Sequence, residues 1–414
     1  MTEHVRTKIQ EISQGQDGFT VGWCDGGVSH FHFIWLRHQC ECEECGSSLN
    51  GVRGLRLDLI PERPKPREYS FDANMLRVIW EEDGHVSTYE AKWLRDHCYS
   101  AEARAQRKHR PVLWDKRIAA DPPTFNFSEV EDSASSRLQM LETVCDYGFC
   151  KVEGAPGLTQ EAGRLIQMVG AKRITHYGDF ELSNKRMSNT SADMATLTDK
   201  KSINNVGDIR QALQPHCDET YRTSTIGITI FQVFEPSAEG GHSTLVDGFE
   251  VARRFREIYP EDFNRLASTP LTGQRFDPKH TEGELPRWYR CTLPMIRIDD
   301  DQDVCGIRVN ERQIAPIDLP HDQVVPTYRA IRNFLKIVYD PDLIISFPLK
   351  KGDGLIFNNQ RVLHGRTAFK LEERGRQVLT NSVDLEDFYS NLRILKGRLK
   401  PQEPIQAYSQ GMVT

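Results

Sequence analysis

Apolar and polar positions alternate at Phe19, Val21 and Trp23, the period of a half-buried strand. Asp25-Gly26-Gly27 then offers a hairpin turn, and the apolar run over 31–36 reads as the next strand. The pattern recurs further on. Trp80, Asp83-Gly84, Trp93-Leu94-Arg95 and Cys98 stand in the order of Trp23, Asp25-Gly26, Trp35-Leu36-Arg37 and Cys40. Two copies are too few for a solenoid, and they predict a small β-rich module with internal pseudo-symmetry. Between about 101 and 132 the chain is charged and carries Pro111, Pro122 and Pro123, which reads as a connection.

Beyond it the periods mix. Leu138, Leu141 and Cys145 recur at helical spacing, as do Val251, Phe255 and Ile258, and Tyr328, Ile331, Leu335 and Val338. Phe149 to Val152 resumes as a strand, and Ile226, Ile228 and Ile230 alternate with Gly227 and Thr229. Strands dominate between 216 and 310 and again from Leu343. Runs of strands with a few helices suit an α+β, mainly β fold: a double-sheet jelly roll with helices outside one sheet. The division expected is an N-terminal module over 1–105, a connection over 106–132, a catalytic domain over 133–400 and a tail over 401–414.

Composition narrows the class. At 414 residues two domains are the natural expectation. A net charge of -6 argues against nucleic acid as a partner, and no apolar stretch approaches a membrane span. The first residues lack the apolar core of a secretory signal, so a cytoplasmic location is expected. Of the 10 cysteines, Cys40, Cys42 and Cys45 crowd together. In a reducing compartment such crowding points to metal more than to disulfides.

The chemistry centres on His216-Cys217-Asp218 and on His364. Side chains at i and i+2 of an extended segment share a face, so His216 and Asp218 can reach one ion. Two imidazoles and a carboxylate on one face of an octahedron leave positions for a chelating 2-oxo acid and O2, and they favour Fe(II). A lone His-x-Asp triplet is expected by chance in a chain with 13 histidines. Its context raises its weight. Arg376 follows His364 where a guanidinium would grip the far carboxylate of 2-oxoglutarate, with Arg374 as a competitor. Ser243, closing Gly240-Gly241-His242-Ser243, offers a hydroxyl to the same carboxylate.

With these residues in view, the chain resembles the γ-butyrobetaine and trimethyllysine dioxygenase family. The likeness is carried by the cysteine-bearing N-terminal module, His216-x-Asp218, the Gly-Gly-x-Ser and Val246-Asp247-Gly248-Phe249 segments, Leu363-His364-Gly365-Arg366, and the closing Asn391-Leu392-Arg393-Ile394-Leu395. The resemblance implies a double-stranded β-helix catalytic domain and Fe(II) on His216, Asp218 and His364. It further implies conversion of 2-oxoglutarate to succinate coupled to hydroxylation of an unactivated carbon, and a homodimer. For the N-terminal module it implies structural zinc on Cys40, Cys42, Cys45 and His85, with His97 and Cys98 as rival fourth ligands.

Substrate residues carry over less completely. Family members that act on trimethylammonium groups surround the cation with rings. Here Tyr177 matches a cage tyrosine, Asp208 and Ser382 stand where two others are expected, and Phe180 replaces a tryptophan. Glu219 and Tyr221 follow the iron ligands, and Asn310 and Arg312 are placed to bind an acidic group. A carboxylate in place of a ring points to a cation held partly by charge, although Asp208 and Glu219 are equally explained as solvated loop charges. Desaturation or carbon–carbon cleavage on the same scaffold, or a non-catalytic zinc-stabilised scaffold, are the alternatives.

Overall fold

The computed structural model describes residues 7–46, 53–157, 161, 163–174, 212–237, 239–277, 286–370, 377–403 and 406–408. They fall into two compact units, Met1–Lys108 with Pro404–Ala407, and His109–Glu403 with Tyr408–Thr414.

The first unit is built twice from one plan. Strands β1 (Ile9–Gln14), β2 (Gly18–Trp23) and β3 (Val28–His32) form an antiparallel sheet followed by helix α1 (Phe33–His38). Strands β4 (Pro66–Phe71), β5 (Met75–Trp80) and β6 (Val86–Glu90) repeat it and lead into α2 (Ala91–Asp96) and α3 (Ala101–Arg107). Both turns use a glycine at positive φ, Gly26 and Gly84, where a side chain would be strained. Trp23 donates its indole N–H to Ser29 Oγ at 2.9 Å, and Trp80 does the same to Ser87 Oγ at 2.9 Å. The halves also exchange ion pairs: Arg37 meets Asp83 at 2.9 Å and Arg95 meets Asp25 at 3.0 Å. Phe19, Phe31, Leu36, Leu76, Trp80 and Leu94 fill one shared core, each worth about 1.5–3 kcal/mol of burial.

One expectation fails here. The run over 31–36 is a strand only to His32, and Phe33 opens α1. Phe33 and Leu36 are buried one helical turn apart, whereas a strand would have sent them to opposite faces.

The second unit holds two facing sheets. The larger has the order β21-β10-β18-β8-β7, from β21 (Gln377–Val383), β10 (Ile228–Glu235), β18 (Gly354–Asn358), β8 (Phe149–Glu153) and β7 (Thr124–Asn126). The smaller has the order β17-β12-β19-β9, from β17 (Ile345–Phe347), β12 (Ser243–Asp247), β19 (Val362–Arg366) and β9 (Leu213–His216). Phe149, Leu355 and Phe357 of the first meet Leu245, Ile345 and Val362 of the second in one apolar layer. Helices α4 (Phe127–Asp132), α5 (Ala134–Tyr147), α6 (Gly163–Val169) and α10 (Leu385–Leu399) cover the outer face of the larger sheet, around Ile228, Ile230 and Ile356.

Helices were expected outside one sheet only. In fact α7 (Gly248–Ile258), α8 (Pro260–Ser268) and α9 (His321–Val338) also cover the smaller sheet, through Phe255, Phe263 and Phe334 against Val246 and Leu363. Residues 106–132, expected as a connection, contain β7 and α4 of this unit. Tyr408, expected in a tail, is buried and stacks on Tyr389 at 5.0 Å. Strands β13 (Leu271–Asp277) and β14 (Arg287–Leu293) form a separate antiparallel hairpin.

Candidate metal centres

His216 ends β9 and His364 lies at the middle of β19, and the antiparallel register pairs them directly. Cross-strand partners share a face, so the two rings lie side by side with centroids 4.5 Å apart. Asp218 joins them, though not as an extended i+2 neighbour. The strand stops at His216, and a turn over 218–221 swings the carboxylate in. Asp218 Oδ1 lies 3.5 Å from His216 Nε2, and Oδ2 lies 3.3 Å from His364 Nε2. Ligand atoms of all three sit within 4.8 Å of one another. Both imidazoles are buried, and Asp218 keeps 31% of its side chain open.

Burial lowers the His216 pKa, which keeps its ring neutral and able to bind metal. Burial works to raise Asp218, but His364 and His216 outweigh it and hold the carboxyl well below the usual range. His216 Nδ1 lies 2.8 Å from the Gln214 carbonyl. A donated Nδ1–H leaves the Nε2 lone pair for an ion. The donor set, one open face and a fixed tautomer fit Fe(II).

Other expected residues cluster around this centre by register. Ser243 pairs with Arg366, and Leu245 pairs with His364, so Ser243 and Arg366 share the inner face with the imidazoles. Opposite it, Phe231 and Phe357 approach His364 at 5.4 and 4.7 Å. Ser382 pairs with Thr229, two residues before Phe231, and therefore also faces inward. Asn310 is buried and donates to the Cys217 carbonyl at 3.3 Å. Arg312 is exposed, yet its charge contributes to the lowering at His216. Glu219 is buried at φ 52° and meets Arg222 at 3.1 Å. Tyr221 is buried and stacks on Tyr289 at 5.7 Å. Tyr177, Phe180, Asp208, Arg374 and Arg376 lie outside the described residues.

Four residues around the site were not read from the sequence. Asn359 accepts from the Asp218 backbone N–H at 2.8 Å and donates to its carbonyl at 3.1 Å. Arg308 ties the Thr220 carbonyl to those of Cys291 and Leu293 on β14. At the same spot Gly273 permits close approach, since a Cβ there would lie 2.5 Å from the Thr220 carbonyl. Tyr289 lies under the Arg222 guanidinium at 4.5 Å. The Asn358-Asn359 pair ahead of His364 was the available signal for the first, and the others carried none.

In the first unit the three thiols converge on His85 Nε2, at 3.4 Å for Cys40, 3.5 Å for Cys42 and 3.5 Å for Cys45. A tetrahedral zinc with Zn–S near 2.3 Å and Zn–N near 2.0 Å has an S···N edge of about 3.5 Å. The cluster fits zinc. The rivals do not join it: His97 stacks on Trp93 and Cys98 contacts Ser100. Arg37, already paired with Asp83, donates to Cys45 Sγ at 3.4 Å. Asp83 in turn accepts the His85 backbone N–H at 2.9 Å.

Both units are similar to known proteins. The family described as taurine catabolism dioxygenase TauD, TfdA family matches residues 108–381. The gamma-butyrobetaine hydroxylase-like N-terminal family matches 10–69 and 67–140. The gamma-butyrobetaine dioxygenase of Pseudomonas sp. is 30% identical over 388 residues, 92% of this chain and 94% of that one. The trimethyllysine dioxygenase of Meyerozyma guilliermondii is 27% identical, covering 94% and 96%. The human gamma-butyrobetaine dioxygenase is 25% identical, covering 94% and 97%.

Proposed function

Because the chain belongs to the TauD/TfdA family of dioxygenases, we propose that it hydroxylates an aliphatic C–H bond of a small cationic or zwitterionic substrate. The class proposed is a betaine of the γ-butyrobetaine or trimethyllysine type, or a related aminophosphonate. The enzyme is an Fe(II)- and 2-oxoglutarate-dependent dioxygenase, as its relatives are. The observation that carries the site assignment is the convergence of His216, Asp218 and His364 within 4.8 Å.

When bound, iron with 2-oxoglutarate supplies the oxidising power, one oxygen atom of O2 entering succinate as CO2 leaves and the other entering the C–H bond. The chain's own part is to hold and to exclude. His216 and His364 offer their Nε2 atoms, Asp218 gives charge, and Phe231 and Phe357 pack against the His364 ring. In this reading Arg376 and Ser243 grip the far carboxylate of 2-oxoglutarate. Asn310 and Arg312 receive the acidic end of the substrate. Tyr177, Asp208, Glu219, Tyr221 and Ser382 surround the cationic end.

The same reading takes the two facing sheets as a double-stranded β-helix, the first unit as the zinc module and the second, which begins at His109, as the catalytic domain. It takes the assembly as a homodimer. Among the described residues no helix is long and apolar enough to cross a membrane. None of the ten cysteines forms a disulfide, which suits a reducing compartment and a cytoplasmic enzyme.

The test is turnover of a panel of betaines, methylated lysines and aminophosphonates with Fe(II) and 2-oxoglutarate. One member should gain one oxygen by mass and release succinate in step. Alanine at His216, Asp218 or His364 should abolish both. No panel compound stimulating succinate release would sink the substrate class, and full turnover in any one alanine variant would remove that residue from the triad.

A further inference from the structure

Away from both centres, three further side chains of the first unit face one another: Asp17, His30 and His32. His30 and His32 are alternate residues of β3 whose neighbours Ser29 and Phe31 point into the core, so both rings project outward. Asp17 stands at the turn entering β2, and its carbonyl accepts the Phe33 backbone N–H at 2.8 Å, which pins that turn beside the end of β3. Its two carboxylate oxygens then divide between the rings. Oδ1 lies 3.8 Å from His30 Nε2, and Oδ2 lies 3.8 Å from His32 Nε2.

These separations exceed a hydrogen bond. They lie near the ~3.3 Å edge of a tetrahedron whose bonds are about 2.0–2.1 Å, and exposed rotamers can close the difference. The far nitrogens are also occupied. His32 Nδ1 lies 2.7 Å from the Tyr99 hydroxyl, and His30 Nδ1 lies 3.3 Å from Thr20 Oγ1. When each Nδ1–H donates to its hydroxyl oxygen, both Nε2 lone pairs turn toward Asp17, the arrangement that outer partners impose on metal-binding histidines. A Cβ at Gly18 would lie 2.5 Å from the Phe31 carbonyl and 3.0 Å from His30 Nε2, so glycine is what lets β2 run this close beside the cluster.

We propose that Asp17, His30 and His32 bind a divalent transition ion of the zinc, copper and nickel class, with one coordination position left to water or to a donor from another molecule. Imidazole with a single carboxylate selects these ions over calcium or magnesium. Three ligands without a thiolate make the site weaker and more readily exchanged than the Cys40, Cys42, Cys45 and His85 cluster.

The experiment is equilibrium dialysis of the full-length protein against buffered free zinc, with metal counted per chain. Asp17→Asn and His30→Gln, both at exposed positions, are compared with the wild type. The wild type should take up one equivalent more than either variant at micromolar free zinc, with the tightly held zinc and the iron affinity the same in all three. Equal counts in the wild type and both variants would overturn the proposal, because the three side chains would then be no more than a surface ion pair.

Discussion

Arg361 and Asp247 form a two-pronged ion pair, Nε to Oδ1 at 3.0 Å and Nη2 to Oδ2 at 2.9 Å, with the side chains 1% and 0% exposed. Asp247 also accepts the Phe249 backbone N–H, capping α7, and that of Trp114. Arg361 spends its remaining donors on the carbonyls of Asp146 and Val112. One pair thus joins the start of α7, the approach to β8 and the turn that leads into His364.

Removing one partner strands a charge in the interior, at a cost of about 3–5 kcal/mol. Arg361→Met and Asp247→Asn should each lower the denaturation midpoint of the second unit by a corresponding amount, read by near-UV circular dichroism in urea. A midpoint within experimental error of the wild type would show that the pair contributes no net stability.

Asn359 holds the main chain of an iron ligand without being one. Asn359→Ala should therefore weaken Fe(II) binding by about tenfold or more, roughly 1.4 kcal/mol, while zinc content stays constant. Iron affinity measured anaerobically decides it. An unchanged constant would mean that the turn over 218–221 keeps its shape alone.

The zinc cluster makes a different demand. Structural zinc contributes folding free energy directly, and serine cannot replace a thiolate. Cys42→Ser and His85→Ala should both release zinc and lower the melting temperature of the first unit, with iron affinity retained. Purified wild type carrying well under one zinc per chain would reduce the cluster to four unmetallated side chains.

The anchor for 2-oxoglutarate can be assigned by KM. Arg376→Met should raise the KM for 2-oxoglutarate about 30-fold or more, since a buried carboxylate loses its partner at 2–5 kcal/mol, and should spare that for the other substrate. Arg366, on the inner face with Ser243, and Arg374 serve as controls. If either of them gives the effect and Arg376→Met does not, the grip lies elsewhere.

Asp262 tests pH. Burial works to raise its carboxyl, but Arg329 at 2.8 Å and Asn333 at 2.8 Å outweigh it and hold the folded pKa below the unfolded value. A group depressed in this direction gives stability that is present above the unfolded pKa and is lost as pH falls through the folded one. Asp262→Asn should cost about 2 kcal/mol at pH 7, and the gap should close as pH drops below about 4. A gap that stays constant down to pH 3 would assign the loss to packing rather than charge.

Much of this was legible because it is written locally. The Trp, Asp-Gly and Cys order predicts a doubled module, and the repeated tryptophan-to-serine bonds are its physical basis. His-x-Asp and the distant histidine are recognisable as a set, and β9 against β19 brings them into register. What stayed hidden depends on long-range pairing. Arg308 reads as an ordinary charge beside a strand until β13 and β14 fold over the turn it ties. The run at 31–36 is apolar throughout, so period alone could not separate strand from helix.

The zinc ligands come from both halves of the doubled module: three thiols follow α1, and the imidazole comes from the turn between β5 and β6. A chain growing from its N-terminus therefore carries three unprotected thiols until His85 has left the ribosome. Neither half supplies all four ligands alone. An amino-terminal fragment cut short before residue 85 therefore lacks the imidazole and cannot complete the set.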